Sequence, residues 1–366
     1  MRRLHHGFSL VELMVALTLA LIVTAGVLSV FVGTRTVYQS TSGVASLTES
    51  GSFALNFLEQ SIRGAGYVAC NHATLSTNVN LLDATGQPLA YDFRYGVEGY
   101  EANANLPNGG SVTLPSTPTA DQSGSDWTPA LDSEFFAALT KGAVSGSDVL
   151  VIRSSTPRTA EAYLAADVAS GATEIQVTSG SALTALQPAA ISDCTESVTF
   201  LVAPSASPTG GSPATIKLTN SLPIGFSTGA VITPVTTLVY YIGIGSDGDA
   251  ALRCLQLQGG AATGDSPFLD QEMVPDIENM QVLYGIDTTG TQTASTYLTA
   301  DQVADFSTVV SVKVAVLAAS PANLATPIPG STLPPFNLLG TPVSVPNDTR
   351  KRRVFTTTVT VRSAAE

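Results

Sequence analysis

From Phe8 to Gly33 the chain reads FSLVELMVALTLALIVTAGVLSVFVG, an unbroken apolar run in which Glu12 is the only charged residue. As a helix, at ~1.5 Å per residue, it reaches roughly 39 Å, enough to cross a bilayer with some tilt. Arg2 and Arg3 stand just before it, so the positive-inside tendency places Met1 in the cytoplasm and everything after Gly33 on the far side. A secretory signal peptide would need a small-residue cleavage site after a short apolar region. Here the apolar run is too long and the small residue, Gly7, precedes it. A plain signal anchor accounts for every feature except Glu12. A carboxylate at the centre of a membrane helix costs about 2.5 to 3.5 kcal/mol, less near the edge, and is kept where it has a task and a partner.

The bond before Phe8 suits cleavage at the membrane surface, since Gly7 has no side chain and leaves the backbone accessible. Cleavage there would expose the cationic α-amine of Phe8, with Glu12 one helical turn further on. The stretch Gly7-Phe8-Ser9-Leu10-Val11-Glu12 resembles the class III leader of type IV pilins and type II secretion pseudopilins. The resemblance implies cleavage between Gly7 and Phe8 and N-methylation of Phe8, both by a prepilin peptidase. It also implies that Glu12 pairs with the amine of a neighbouring subunit during assembly, because an unpaired charge is costly in an apolar setting.

Beyond Gly33 the composition turns polar, yet Val37, Val44, Leu47, Ala54, Leu58 and Ile62 recur at a helical period. Glu59 and Arg63 add an i, i+4 pair, and Gly64 and Gly66 supply a stop. One helix from Phe8 to about Arg63 follows, with Leu55, Leu58 and Ile62 as ordinary core positions. Gly26, Gly33 and Gly51 weaken it by about 1 kcal/mol each relative to Ala and allow either bending or close packing.

The remainder is rich in short alternating segments, with strands expected at 148–153, 174–178, 197–202, 215–219, 237–242, 251–256, 280–286, 309–317 and 354–362. In 309–317 the residues Val310, Val312, Val314 and Val316 share one face; in 354–362, Phe355, Thr357, Val359 and Val361 do the same. The expected fold class is α+β, a pilin-like plan in which a long amino-terminal helix packs on one mainly antiparallel sheet. Residues 103–128 and 320–348, rich in Pro, Gly, Ser and Thr, read as long loops, and Gly243 to Asp249 as a hairpin turn. The organisation expected is a leader (1–7), a transmembrane and filament-core helix (8–33), its amphipathic continuation (34–65) and a β-rich periplasmic or extracellular domain (66–366).

Three later blocks narrow the resemblance. Residues 62–70 (IRGAGYVAC), 274–287 (VPDIENMQVLYGID) and 352–359 (RRVFTTTV) are similar to segments of PilW-type minor pilins, in the same order. On that resemblance Cys70 and Cys194 are the candidate disulfide, fastening the helix-to-sheet loop, with Cys254 a buried free thiol. Other pairings among the three remain open.

Chemistry is sparse elsewhere. His72 is the one histidine after the leader, and no C-x-x-C, P-loop or H-E-x-x-H is present. Asp276, Glu278 and Asp287 read as strand-entry and turn residues, Arg352 and Arg353 as a solvated strand start, and Tyr240 and Tyr241 as sheet residues. Two aspartates in the 243–249 turn lack the spacing of a calcium loop. A net charge of -13, with 29 acidic against 16 basic residues, argues against nucleic acid as a partner. The expectation is a non-enzymatic minor pilin, without cofactor or metal, that helps initiate and cap type IV pilus assembly and supports adhesion and twitching. Its expected partners are the prepilin peptidase, other minor pilins, the major pilin and a large tip adhesin, with the inner membrane as its station before it joins a surface pilus. The alternatives are a GspJ-like secretion pseudopilin and a membrane-anchored envelope binding protein.

Overall fold

A computed structural model describes residues 9–68, 78–80, 92–102, 110–121, 124–131, 138–139, 142–155, 162–178, 183–193, 195–203, 213–259, 268–321 and 333–361. The expected helix is present as α1, Leu10–Gly64, 55 residues long. Threonine hydroxyls along it are satisfied by the preceding turn: those of Thr34, Thr36, Thr41 and Thr48 donate to carbonyls four residues back at 2.8 to 3.0 Å. A polar side chain is thereby accommodated in an apolar stretch without needing water. Gly66, at φ 72°, turns the chain away, and its N–H donates to the Arg153 carbonyl at 2.8 Å, strapping the helix exit to a strand.

The buried positions of α1 are Gly43, Leu47, Ser50, Gly51, Ala54, Leu58 and Ile62, spaced by three or four residues apart from the adjacent Ser50 and Gly51. The expected stripe is therefore shorter than its sequence period: Val37 is 65% and Val44 46% exposed. The domain covers the helix only from Gly43 on, and every described residue before Tyr38 is exposed. Gly51 marks close packing, since a Cβ there would fall 2.3 Å from the Phe355 ring.

The expected α+β plan, a long helix on mainly antiparallel β-structure, is present, with the strands divided among the described residues into a twelve-stranded, a four-stranded, a three-stranded and a two-stranded sheet. Pairing is antiparallel except where Asn78–Asn80 joins Ser197–Leu201 and where Thr341–Ser344 joins Val112–Thr113. The twelve-stranded sheet is organised on Val231–Ile244, whose first residues pair with Pro188–Ser192 and whose later residues lie between Val149–Ser155 and Ala250–Leu257. Its alternation divides the cores: Tyr240 and Ile242 face the helix, whereas Val239 and Tyr241 join Tyr100, Trp127 and Leu255 on the far side. Residues 162–232 supply a further core around Phe200, Ile216 and Phe226, a lobe set apart from the helix.

The four-stranded sheet runs in the order Thr296–Leu298, Ile277–Ile286, Val309–Ala319, Arg352–Thr360. Val312, Val314, Val316 and Val359 press against the helix, while Ala315 and Leu317 face a second small core under the three-stranded sheet. The two proline-rich stretches read as loops build that cover. Val112–Thr113 from the first and Phe336–Leu338 and Thr341–Ser344 from the second form the three-stranded sheet. These strands are two to four residues long and pair across the chain, so no local alternation announces them.

What joins the two large sheets is the turn Gly146-Ser147-Asp148. The buried Asp148 carboxylate accepts from the Ala102 N–H (3.1 Å) in one sheet and from the Val282 N–H (2.8 Å) in the other. The Asp148 N–H donates to the Met280 carbonyl (2.9 Å), and the Met280 N–H donates to Ser147 Oγ (3.0 Å). Asn279 Nδ2 and Gln281 Nε2 both donate to the Gly146 carbonyl, at 2.7 and 3.1 Å. Asp148→Ala leaves two buried backbone donors without this acceptor, and we expect it to cost about 2 to 4 kcal/mol in denaturant unfolding of the full chain in detergent. Loss below about 1 kcal/mol would show that the sheets are held by apolar packing alone.

Candidate functional site

The amino end of α1 is built by a reciprocal cap. Ser9 Oγ accepts from the Glu12 N–H at 3.2 Å, and Glu12 Oε2 accepts from the Ser9 N–H at 3.3 Å. Two helix-end donors that have no partner within the helix are thus satisfied, and the Glu12 carboxylate is held within a turn of the residue that follows Phe8. The helix dipole favours an anion at this end. Gly7 and Phe8 themselves lie outside the described residues. From Leu10 through Gly33 the helix is apolar apart from Glu12, exposed and clear of the domain, and by length and composition it is able to cross a membrane.

Cys70 and Cys194, the disulfide candidates, also lie outside the described residues, as does His72. Cys254 is a buried free thiol beneath the helix end. Burial pushes its pKa up to about 12, so it stays a thiol and is a poor nucleophile. Its neighbour Tyr240 shares a 2.7 Å hydrogen bond with Ser61 of α1.

The three carboxylates singled out from the sequence do not converge. Asp287 accepts from the N–H groups of Thr289, Gly290 and Gln292 and shapes its own turn. Asp276 pairs with Arg350, and Glu278 is held by Arg352 through two bonds of 2.7 and 2.9 Å. Burial, partly offset by Arg350, raises the Asp276 pKa to about 6. Arg352 is not a solvated strand start: its side chain is 1% exposed, bound to both Glu278 and Asp348. Arg353 does face solvent, stacked 5.3 Å from the Phe355 ring centroid. Tyr240 and Tyr241 are both buried. A cavity of about 270 Å³, walled by Pro115, Pro118 and Pro346, opens onto Arg350 and Arg352. Their guanidinium groups are taken up by Asp249, Asp276, Glu278 and Asp348, so opposite charges already meet there.

Sequence reasoning missed a buried polar group. Glu101, 1% exposed, lies beside Asp148, and burial followed by repulsion from Asp148 and Asp301 pushes its pKa up to about 9. Tyr284 is close by, fully buried, with its hydroxyl against Gly99; a Cβ at residue 99 would fall 1.8 Å from that oxygen. Among the described residues Glu101 Oε2 and Tyr284 Oη have no hydrogen-bond partner. A perturbed carboxyl beside an acceptor carboxylate is a pattern seen at catalytic sites, but this one is sealed between the sheets and offers no access to a substrate. Nothing in the sequence near Glu101 marks it, since its burial is created by the pairing of distant strands.

A capped amino-terminal helix free of its domain, joined to a β-rich body on which its second half packs, defines a pilin-like membrane-anchored chain. Residues 2–28 match the prokaryotic N-terminal methylation motif, and residues 239–363 match the family described as Type IV Pilus-assembly protein W. The family similarity is confined to the carboxy-terminal part that holds the four-stranded sheet, and the motif similarity to the amino-terminal helix and the residues before it. The chain is also similar to a type IV-like pilin from Thermus thermophilus, at 21% identity over 52% of this chain and 90% of that one, TM-score 0.22. A second structural similarity is to the endosialidase of phage phi92, at 11% identity over 62% of this chain and 41% of that one, TM-score 0.17. None of the curated proteins matches the chain.

Glu101 makes stability depend on pH. Its folded pKa of about 9 stands above the ordinary 4.5, so the fold favours the protonated form. Its contribution is complete below about pH 4.5 and is lost progressively as pH rises towards 9, by on the order of 1 kcal/mol per pH unit. Glu101→Gln stays neutral throughout, and its denaturation midpoint is expected to fall less between pH 5 and 9 than that of the parent. Parallel curves for the two proteins would contradict the buried neutral carboxyl.

Proposed function

We propose that the chain enters the inner membrane as a single-pass precursor with its β-rich domain on the periplasmic side. A prepilin peptidase then cleaves between Gly7 and Phe8 and methylates Phe8. Glu12 next pairs with the amine of a neighbouring subunit as α1 leaves the lipid for the filament core, so neither charge is left alone in an apolar setting. The observation that carries this reading is the helix itself, apolar and clear of the domain from Leu10 to Gly33, with its one carboxylate in the first turn.

In this reading the protein acts with other minor pilins, the major pilin and a large tip adhesin to initiate and cap the filament, supporting adhesion and twitching. The bulk of its domain supports a terminal place. A body with a lobe at residues 162–232 beyond the part that covers the helix is accommodated more easily at a filament end, where fewer sides are enclosed, than within the shaft.

Glu12→Val tests the assembly step. The variant is expected to be cleaved and membrane-inserted normally, yet to fall at least about tenfold in sheared surface filaments, measured by quantitative blotting. Incorporation at the parental level would overturn the role of Glu12. Deleting the gene and scoring surface pili and secreted enzymes separately decides between pilus priming, which predicts loss of pili, and secretion.

A further inference from the structure

Arg352–Thr360 ends the four-stranded sheet, paired on one side with Val309–Ala319 and, among the described residues, with no strand on the other. Two bonds beyond its ends set which backbone groups face which way. The Val361 N–H donates to the Val310 carbonyl (2.9 Å), and the Ser320 N–H donates to the Lys351 carbonyl (2.8 Å). In an antiparallel ladder facing groups alternate, so the odd-numbered residues bond inward and Val354, Thr356, Thr358 and Thr360 turn their N–H and C=O groups outward. Thr356, Thr358 and Thr360 are exposed.

Natural proteins blunt such an edge with a bulge, a proline, a covering segment or charged side chains, and here charges stand only at its start, leaving the stretch from Val354 to Thr360 uncharged. The pairing of this strand runs in unbroken register over nine residues, and RRVFTTTVT contains no proline. Its charge is also distinctive. In the described part of the domain each other lysine or arginine has a carboxylate partner: Arg63, Arg94, Arg153, Lys217, Arg253, Arg350 and Arg352. Lys351 and Arg353, both exposed on this edge, have none. Lys313, cross-strand from Thr358, has none either, but it turns away from this edge, with its Nζ 4.8 Å over the ring centroid of Tyr297 in the strand at the sheet's other edge. In a chain of net charge -13, two of the cations that have no carboxylate among the described residues stand together at the start of this edge.

We propose that this edge receives an additional β-strand from a second protein, an extended segment rich in β-branched residues and carrying carboxylates that meet Lys351 and Arg353. Main-chain bonds to the outward groups would supply affinity, and the charges would supply register and choice of partner. A second copy of this chain joined edge to edge in antiparallel fashion is disfavoured by geometry. The two-fold axis of such a pair is perpendicular to the sheet, and α1 lies on the sheet face, so the two helices would point in opposite directions. Both could not then enter one membrane.

The alternation supplies a clean test. Proline at residue 358 removes an outward N–H and leaves the ladder to Val309–Ala319 intact, which edge strands tolerate. The full chain in detergent is titrated with three synthetic ten-residue strand peptides: alternating Thr and Val with two Glu, the same with two Lys, and the Glu peptide interrupted by Pro. The Glu peptide is expected to bind, the Lys peptide at least tenfold more weakly, and the Pro peptide not at all. On binding, exchange of the Thr356, Thr358 and Thr360 amides is expected to slow by at least about tenfold. Thr358→Pro is expected to abolish binding with an unchanged melting temperature, whereas Thr358→Val retains it. Equal binding of the Glu and Lys peptides, no binding of any, or unimpaired binding by Thr358→Pro would overturn the proposal, as would protection of these amides by self-association alone. None of these outcomes depends on where the chain resides in a filament.

Discussion

The fold depends on the two bonds accepted by Asp148. The floor on which α1 lies consists of two separate hydrogen-bonded sheets, and no ladder connects them. A buried carboxylate that accepts one backbone N–H from each, at 3.1 and 2.8 Å, fixes their relative position where a purely apolar contact would allow sliding. Ser147, Asn279 and Gln281 reinforce the same turn from the facing strand, and Trp127 Nε1 donates to the Ser147 carbonyl at 2.9 Å from behind. With the sheets set, Leu47, Ala54, Leu58 and Ile62 of the helix meet one continuous core drawn from both. The neutral Glu101 is a consequence of this arrangement, since a second carboxyl beside Asp148 cannot ionise readily out of water.

Function is divided along the chain by the same logic. The half of α1 outside the domain is able to cross a membrane because nothing in the body competes for its apolar surface. Its neighbour half is bound firmly enough to transmit the position of the helix to the sheets, through Gly51 against Phe355 and the strap from Gly66 to Arg153. The lobe around Phe200 and Ile216 has a core of its own and can vary in surface without disturbing that connection.

Much of this was legible in order. The helix and its stop were read nearly to the residue, because 3.6-residue periodicity, a cap and a glycine exit are local signals. Strands with clear alternation, such as Val309–Ala319 and Arg352–Thr360, were also found. Val231–Ile244 was seen only in its middle, because Pro234 interrupts the pattern of a strand that changes neighbours at that point. Phe268–Pro275 was missed because its sequence, FLDQEMVP, carries two acids, both of which are placed near Arg253 by the neighbouring strand. Arg352 was misread because its partners, Glu278 and Asp348, come from elsewhere in the chain or beyond a turn.

The sequence by itself determined the membrane-competent helix, its single carboxylate at Glu12, the leader motif before it and the α+β composition of the rest. Each of these is a property of residues within a turn or two of one another. Only the tertiary structure decided that the sheet is divided, that Asp148 joins its parts, that Glu101 is neutral, and that an edge with unpaired cations is left open. Those features arise where strands far apart in sequence meet, and burial and pairing exist only after they have met.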